Sequence, residues 1–315
     1  MSKHISQPQI QGCVLGAAIG DAMGCPVEFL SLEQIQQQYG TDGITDYVLF
    51  KNKGDVRYAP YTDDTQMAEA VIHGLLDNCT ELDPAMQAIA KHFIQWEQHP
   101  QGGHRAPGNA CIHGCKQLAN GIHWSEAGGA SAGGCGSVMR AYPFGLFFHD
   151  NIQNAEQWSV EHSKLTHRDP IALAACAAMA VAIVMCLHRQ PIDDILLAMT
   201  ETASHYSSET EFMLQKACKA STESESKMKN WFEGWAAHEA ITIAAYLFKI
   251  HHLDSKQAIL SAANTPGDSD SIATLVGALC GAYNGIDSFP QHWVDQLERN
   301  RELYALSNVI YHFRY

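Results

Sequence analysis

Two acidic stretches, far apart in the chain, carry the residue types that bind hard divalent cations. The first is Thr62-Asp63-Asp64, and the second is Asp268-Ser269-Asp270-Ser271. Oxygen ligands of this kind, without Cys or His, select Mg²⁺, Mn²⁺ or Ca²⁺ rather than zinc. Two such ions, about 3.5–4 Å apart, can hold a substrate between them and activate a water. We therefore predict a two-metal hydrolase site in which both stretches share the ions.

Both stretches also have a purely structural interpretation. Thr62 is a suitable N-cap, and an Asp in the first turn of a helix complements the helix dipole. The same holds for Asp268 and Asp270, which precede the apolar segment Ile272 to Tyr283. The repetition of the pattern favours a metal site, because four converging carboxylates would repel one another without a cation. Convergence itself is not visible in the sequence.

The composition restricts the partners of such a site. The chain has 315 residues, 46% of them apolar and 17% charged, which indicates one compact globule over residues 1–315. A net charge of -14 excludes a nucleic-acid groove, because phosphates require a basic field. The segment Met1 to Gln11 has no apolar signal region, and we recognise no run of about 18 apolar residues. We expect a cytoplasmic monomer without a membrane partner.

Ten cysteines occur in the chain, mostly inside apolar, helix-like runs. We interpret them as reduced core residues rather than a disulfide framework. One further group has metal-ligand types but lacks the paired C-x2-C spacing of a zinc site, and we interpret it as ordinary helix residues: His104, Cys111, His113 and Cys115.

Helical periodicity dominates the chain and predicts an all-α fold. Only Ile44 to Phe50 looks like a strand, and the polar run Ser221 to Lys227 is predicted to be a surface loop. Because no alternation of strands and helices is present, a doubly wound sheet is excluded. The predicted helices are 12–23, 32–39, 63–78, 84–97, 108–120, 136–149, 152–163, 170–188, 192–205, 208–220, 235–250, 255–263, 271–284 and 292–311.

Two features predict how these helices pack. The segment Ile171 to Cys186 is almost entirely apolar, so we expect a central helix surrounded by others. Two glycine series with a spacing of four each line one face of a helix and permit close approach, although sporadic glycine explains either series alone equally well. The two series are Gly12, Gly16, Gly20, Gly24 and Gly277, Gly281, Gly285.

The chain resembles the ADP-ribosylglycohydrolase family, which includes dinitrogenase reductase-activating glycohydrolases and eukaryotic ADP-ribosyl-acceptor hydrolases. The resemblance runs from about residue 12 to 290 and depends on five motifs in the family's order. These are Gly16 to Gly24 with Glu28, then Thr62-Asp63-Asp64-Thr65, then Gly134 to Arg140 with Pro143, then Thr166-His167, and then Gly267 to Ser271.

The resemblance implies a compact orthogonal bundle of helices with two Mg²⁺ or Mn²⁺ ions at its centre. It implies Glu28, Asp63 and Asp268 as catalytic residues, with Glu28 placed over the cleft as base or acid. The implied metal ligands are Thr62, Asp63, Asp64, Asp268, Asp270 and Ser271. The implied substrate-binding residues are Ser131, Gly133, Gly134, Cys135, Gly136, Ser137 and His167.

Several of these residues also have simpler interpretations. Glu28 can be a surface carboxylate after a turn, and His167 can be a residue at a helix entry. We interpret Arg140 as a structural partner of a buried carboxylate. The family usually has Asn where this chain has Cys135, which we expect to be inert. Ser271 replaces the more common Thr and keeps the hydroxyl.

The resemblance implies a hydrolase that removes ADP-ribose from a modified acceptor, most often an arginine side chain on a protein. Other acceptors, such as serine or a small molecule, and the reversal of an ADP-ribosylating toxin stay open. A non-catalytic binder of ADP-ribose, or a structural member of the family, is a second hypothesis. A two-metal phosphoesterase is a third, although such enzymes usually use metal-binding histidines, which the candidate ligands lack.

Overall fold

The computed structural model describes residues 5–51, 56–221, 228 and 230–314, and sixteen α-helices occur in this part of the chain. The 222–227 part of the predicted surface loop lies outside the described residues. The helices are α1 Gln7–Gly24, α2 Leu32–Tyr39, α3 Asp63–Asp77, α4 Leu82–Gln98, α5 Asn109–Ala119, α6 Trp124–Ala127, α7 Tyr142–Phe147, α8 Ile152–Ser163, α9 Pro170–Leu187, α10 Ile192–Ser204, α11 Ser208–Lys219, α12 Ala237–His251, α13 Ser255–Ala263, α14 Ser269–Asn284, α15 Gln291–Gln296 and α16 Asn300–Arg314.

Short elements complete the described fold. Two two-residue strands, β1 Phe50–Lys51 and β2 Arg57–Tyr58, pair antiparallel. Three 3₁₀ turns occur at Cys25–Val27, Cys135–Arg140 and Ile286–Ser288. The all-helical class predicted from the sequence is therefore confirmed.

Helix α9 is the central element, as its apolar sequence predicts. Fourteen of its eighteen residues are buried, and it packs against α7, α8, α10, α12 and α14. We expected no segment long and apolar enough to cross a membrane, and this expectation was wrong. Gln7–Val27 and Pro170–Leu187 both have sufficient length and hydropathy. Both lie mostly inside the bundle, as core helices of globular proteins do, so they are weak evidence for a membrane span.

The two glycine series lie face to face, and α1 and α14 are in direct backbone contact. A Cβ on Gly277 would collide with the carbonyl oxygen of Gly16, and a Cβ on Gly281 would collide with that of Gly12. Any side chain at these positions would force the helices apart. The prediction of tightly packed neighbours is confirmed, and the contact positions the N-terminus of α14 beside the end of α1.

The strand predicted for Ile44 to Phe50 was wrong except at Phe50. The N–H of Ile44 donates to the side-chain oxygen of Asn264 at 2.8 Å, and the Asn264 amide donates back to the Ile44 carbonyl at 2.9 Å. One distant side chain therefore satisfies this backbone, and no strand partner is needed.

Three predicted helices differ most from the structure, and the short helix α6 was not predicted. Helix α1 begins at Gln7, because Ser6 and Gln9 form a capping box. The predicted helix 136–149 is a 3₁₀ turn followed by α7, since Pro143 cannot donate an α-helical hydrogen bond. The predicted helix 292–311 is divided into α15 and α16, because the intervening backbone pairs with Ala59 instead.

Candidate active site

Helices α3 and α14 begin at the same cavity and bring the two acidic stretches together. The cavity has a volume of about 450 Å³. Oxygens of Glu28, Asp268 and Asp270 lie within 4.8 Å of one another, so these three can hold one metal ion. The residues that line the cavity are Glu28, Phe29, Asp63, Asp64, Ala106, Pro107, Gly108, Asn109, Ala110, Gly134, Cys135, Gly136, Met139, His167, Trp235, Asp268, Asp270 and Ser271.

The residues predicted to bind metal at the start of α3 also cap that helix. Thr62 is the N-cap, and its hydroxyl accepts the N–H of Asp64 at 3.4 Å. Burial raises the pKa of Asp270, and a hydrogen bond from the Thr62 side chain is among the smaller effects that lower it. Thr62 therefore lies at the cluster although it does not line the cavity wall. The structural interpretation of the Thr-Asp-Asp pattern, an N-cap followed by acidic residues in the first turn, is therefore confirmed.

Asp21 of α1 positions the Thr62 segment from behind. Its carboxylate accepts the N–H groups of Thr62 and Thr65 at 2.8 and 3.0 Å, and the Thr65 hydroxyl at 2.6 Å. Asp21 is fully buried. Because these bonds satisfy first-turn N–H groups that have no partner within α3, Asp21 holds the start of that helix in place.

Burial and mutual repulsion raise the carboxyl pKa values in the cluster. Burial, followed by the charges of Asp270 and Asp268, raises the pKa of Glu28 to about 10. Burial and then the Asp270 charge raise the pKa of Asp21 to about 7. For the same two reasons the pKa values of Asp63, Asp64 and Asp268 are well above the usual range. Without a counter-charge, the cluster therefore retains protons at neutral pH.

The cluster has the properties that a dication site needs. Neither Lys nor Arg is among the described residues that line the cavity, so no side-chain cation there neutralises the carboxylates. The Oδ2 atom of Asp64 is buried and has no hydrogen-bond partner. A buried unpaired carboxylate oxygen is costly unless a cation binds it. The donors are mainly carboxylate and hydroxyl oxygens, which fit Mg²⁺ or Mn²⁺.

The segment after Gly133 forms one wall of the cavity. The Gly133 carbonyl accepts the N–H of Ala237 at 2.9 Å, and Cys135 N–H donates to the Trp235 carbonyl at 3.1 Å. A Cβ on Gly136 would lie 2.6 Å from the Cys111 sulfur. Only glycine fits there, so the backbone comes close to His167 on one side and to the cavity on the other.

Not every predicted substrate-binding residue lines the cavity. Gly134, Cys135, Gly136 and His167 do, whereas Ser131, Gly133 and Ser137 do not. Ser131 is exposed. Ser137 is fully buried, and its hydroxyl accepts that of Ser163 at 2.9 Å. Its contacts in the described structure are therefore those of a residue that holds the glycine segment in place.

A buried relay determines the state of His167. Arg140 Nη2 donates to Thr166 Oγ1 at 2.6 Å, and Thr166 Oγ1 lies 2.7 Å from His167 Nδ1. We assign the Thr166 proton to that second bond, which leaves the imidazole proton on Nε2. Burial and the Arg140 charge lower the pKa of His167 to about 3. His167 is therefore a neutral donor at the cavity wall.

Arg140 has a structural role, as predicted, but the expected carboxylate pair is wrong. Its guanidinium donates to Thr166, to His162 and to sulfur atoms, and it lies 4.5 Å from the ring centroid of Phe93. In the described part of the chain, no carboxylate lies within ion-pair distance of it. Burial and the Asp270 charge raise the pKa of Asp63 well above its usual range, and the Arg140 charge is among the smaller effects that oppose this rise.

The remaining cysteine predictions can also be compared with the structure. All ten cysteines are free, as predicted. In the described residues, the group of possible metal ligands is at the acidic cluster and not at His104, Cys111, His113 and Cys115. Cys111, His113 and Cys115 lie in α5, and both cysteines are buried, in agreement with their interpretation as ordinary helix residues. That interpretation was wrong for His104, which lies in the loop between α4 and α5.

Sequence reasoning missed three residues at the site. Asp21 is the only charged residue among the eighteen residues of α1. A single carboxylate in an apolar helix indicates that it is buried against a hydrogen-bond donor, and this signal could have identified Asp21. Phe29 and Trp235 stack at 5.1 Å between ring centroids, and both line the cavity. Phe29 has a positive φ of 68°, which is unusual for a bulky residue. No local pattern indicated this aromatic pair.

The cavity and its ligand set can be compared with known proteins. The family model described as ADP-ribosylglycohydrolase matches residues 3–314. The chain belongs to the ADP-ribosylglycohydrolase family. Its motifs for the two acidic stretches, the glycine segment and His167 all lie within the matched range.

Relatives and a solved structure agree with this assignment. The chain is 26% identical to the ADP-ribosylarginine hydrolase Tri1 of Pseudomonas putida, over 96% of this chain and 77% of that protein. It is also 26% identical to the ADP-ribosyl-[dinitrogen reductase] glycohydrolase of Rhodospirillum rubrum, over 92% and 90%. A structure titled ADP-ribosylglycohydrolase-related protein complex has the same fold, with a TM-score of 0.78 at 22% identity over 98% of this chain and 99% of that one.

Proposed function

We propose that this protein hydrolyses the glycosidic bond between ADP-ribose and a modified acceptor, with an ADP-ribosylated arginine side chain on a protein as the substrate. The observation that carries the proposal is the convergence of Asp63, Asp64, Asp268 and Asp270 in one cavity under Glu28. The glycine segment and His167 line the same cavity, in a member of the ADP-ribosylglycohydrolase family.

An acidic protein can bind an anionic diphosphate by neutral donors. Gly134 and Gly136 lack a Cβ, so backbone can approach the phosphates closely. The neutral His167 can donate its Nε2 proton to a substrate oxygen without adding a charge that would pair with the carboxylates. Phe29 and Trp235 narrow the same cavity with apolar surface, which excludes water from part of the substrate.

The acidic cluster supports cleavage at the distal ribose. Two bound Mg²⁺ or Mn²⁺ ions would bind the ribose hydroxyls and activate a water. The residues that would hold these ions are Thr62, Asp63, Asp64, Asp268, Asp270 and Ser271. The carboxylates stabilise the positive charge that develops on the sugar in an oxocarbenium-like transition state. Glu28 is half-buried beside Asp268 and Asp270, where it can carry a proton between water and the leaving acceptor.

Arginine is proposed as the acceptor because the Pseudomonas putida relative is named an ADP-ribosylarginine hydrolase. Another ADP-ribose adduct is the alternative, since no described residue selects the acceptor. The complete ligand set and Glu28 favour an enzyme over a non-catalytic binder. The ten free cysteines support a reducing, cytoplasmic location.

The direct test is to incubate the protein and Mg²⁺ with a mono-ADP-ribosylated arginine protein and to measure free ADP-ribose. Release is expected with wild type and not after chelation. Asp63→Asn and Asp268→Asn should abolish metal binding by calorimetry and turnover, with only modest loss of stability, because each removes a charged ligand and no core volume.

Asp194→Asn is the matched control, because Asp194 is an exposed Asp in the first turn of α10. It should retain full activity. Full metal-dependent turnover by either cluster variant would refute the ligand assignment. Release of AMP or phosphate instead of ADP-ribose would indicate phosphoester chemistry, and tight ADP-ribose binding without turnover under either metal would indicate a binder.

A further inference from the structure

The Glu28 carboxylate lies at the acidic cluster without a partner that holds it there. Its ligand oxygen lies within 4.8 Å of those of Asp268 and Asp270, which repel it unless a cation is bound. In the described part of the chain, the Glu28 side chain makes no hydrogen bond and no ion pair. The position of this carboxylate must therefore come from its backbone and from the residues next to it.

Phe29, the next residue, has a strained backbone. Its φ is 68°, a conformation that costs free energy in a bulky residue and persists only where the surroundings fix it. The Phe29 N–H donates to the Gly267 carbonyl at 2.9 Å, and the Gly267 N–H donates to the Leu30 carbonyl at 3.1 Å. These two bonds fix the backbone. Phe29 is 62% exposed, so core packing does not hold its ring.

Trp235 provides a fixed surface for that ring. The two rings stack with their centroids 5.1 Å apart and their planes 24° from parallel. The Trp235 carbonyl accepts the Cys135 N–H at 3.1 Å, and its indole N–H donates to Glu233 Oε2 at 3.1 Å. The Glu233 carbonyl accepts the Asp268 N–H at 2.7 Å. Trp235 is therefore anchored to the glycine segment and, through Glu233, to the start of α14.

We propose that Trp235 is a positioning residue, which holds Glu28 over the acidic cluster by stacking on Phe29. An offset-stacked aromatic pair is stabilised beyond the burial of its two rings, and this contact resists rotation of the Glu28 segment. Without the indole, the Phe29 ring loses that contact, and the adjacent carboxylate is free to turn away from the cluster. The inference rests on the proposed function, in which Glu28 carries the proton.

The first test compares four single variants of the full chain. Trp235→Ala and Phe29→Ala should each lower kcat for ADP-ribose release about 10-fold or more, as displacement of a catalytic group does. Their affinities for Mg²⁺ and for ADP-ribose, measured by calorimetry, should stay close to those of wild type. Trp235→Phe keeps an aromatic face and should restore most of kcat. Phe212→Ala is the matched control, because Phe212 is 69% exposed on α11 and does not line the cavity.

A second test separates positioning from a general structural role. If Trp235 acts through Glu28, then Trp235→Ala should lower kcat in the wild-type chain but have almost no further effect in the Glu28→Gln chain. An equal fall in both chains would overturn the inference. Full kcat in Trp235→Ala would also overturn it, and so would weaker ADP-ribose binding at unchanged kcat, which would make Trp235 a substrate contact.

A spectroscopic test needs no turnover and no substitution at Trp235. The fluorine signal of para-fluorophenylalanine placed at position 29 should be shifted by the indole ring current in the folded, metal-free protein, relative to the same chain unfolded in urea. Trp235→Ala should remove most of that shift. A signal at the unfolded position in the folded chain would overturn the inference. Absence of ADP-ribose release by wild type would instead refute the proposed function and leave this shift in place, so the two failures are distinguishable.

Discussion

Glu28 is the residue at which proton transfer is expected. Its carboxyl lies within 4.8 Å of those of Asp268 and Asp270, and their charges and burial raise its pKa to about 10. A bound dication would neutralise most of the repulsion between these carboxylates, because its positive charge lies between them. Glu28 is the half-buried member of the group and lines the cavity, which leaves its carboxyl accessible from there.

Glu28→Gln should therefore retain metal binding and lose turnover. Glutamine keeps the size and a hydrogen-bonding oxygen but cannot carry the proton, a function that typically contributes 10²–10⁴-fold, as an order of magnitude. The measurement is kcat for ADP-ribose release together with metal affinity by calorimetry. A kcat near that of wild type would remove Glu28 from the chemistry.

Thr166 has a testable role through the tautomer of His167. Thr166→Val should remove the bridge from Arg140 and allow the imidazole proton to move between nitrogens, while Thr166→Ser should keep the bridge. Loss of one hydrogen bond of about 0.5–1.5 kcal/mol should weaken ADP-ribose binding several-fold. Nitrogen NMR of the His167 ring reports the tautomer. An unchanged spectrum in Thr166→Val would contradict the assignment.

At the scale of elements, the contact between α1 and α14 positions the site. Helix α1 carries Asp21, and α14 begins at Ser269, between Asp268 and Asp270. The Phe29 N–H donates to the Gly267 carbonyl at 2.9 Å, which connects the Glu28 segment to the same end of α14. Changes in the distance between these helices should therefore alter metal binding as well as stability.

Gly277→Ala should separate the two helices, because its Cβ would overlap the Gly16 carbonyl oxygen. We expect a loss of about 1–3 kcal/mol in the free energy of unfolding, the usual cost of overpacking, and weaker metal binding. Urea denaturation in the presence of a chelator measures the first effect. Gly108→Ala is the control, since a Cβ there meets open space. Because Gly108 is the N-cap of α5, this change should cost only the preference for Gly over Ala at that position, less than Gly277→Ala in the same assay.

Element prediction succeeded where local signals decide and failed where tertiary contacts do. The apolar run of α9 and the glycine series were sufficient to predict a central helix and a close helix pair. The segment Ile44 to Phe50 has strand composition, but the Asn264 side chain satisfies its backbone from a distance. Likewise, the break between α15 and α16 depends on pairing with Ala59, which no local pattern contains.

At the scale of the whole molecule, the buried acids should make stability depend on pH and metal. The pKa of Asp21 is raised to about 7 and that of Glu28 to about 10, against unfolded values of about 3.9 and 4.3. Between the unfolded and folded values, the folded state binds more protons. Stability of the metal-free protein is therefore full below about pH 4 for these groups and decreases as pH rises toward 7 and 10.

Thermal unfolding of chelator-treated protein should thus show a midpoint that falls between pH 5 and pH 8. Added Mg²⁺ or Mn²⁺ should raise the midpoint most at pH 8, where ionised carboxylates bind the ion. The same series with Asp63→Asn should show a smaller metal effect. A midpoint that rises with pH in the metal-free protein would contradict the raised pKa values.

By itself the sequence determined the helical class and the two oxygen-rich stretches, because periodicity, capping and residue chemistry are local properties. Only the tertiary structure decided that Asp64 and Asp268 share one cavity, that Asp21 supports Thr62 from behind and that Cys135 reaches Asp268. These contacts join residues distant in the chain, and they depend on how close α1 and α14 pack rather than on the pattern of any one segment.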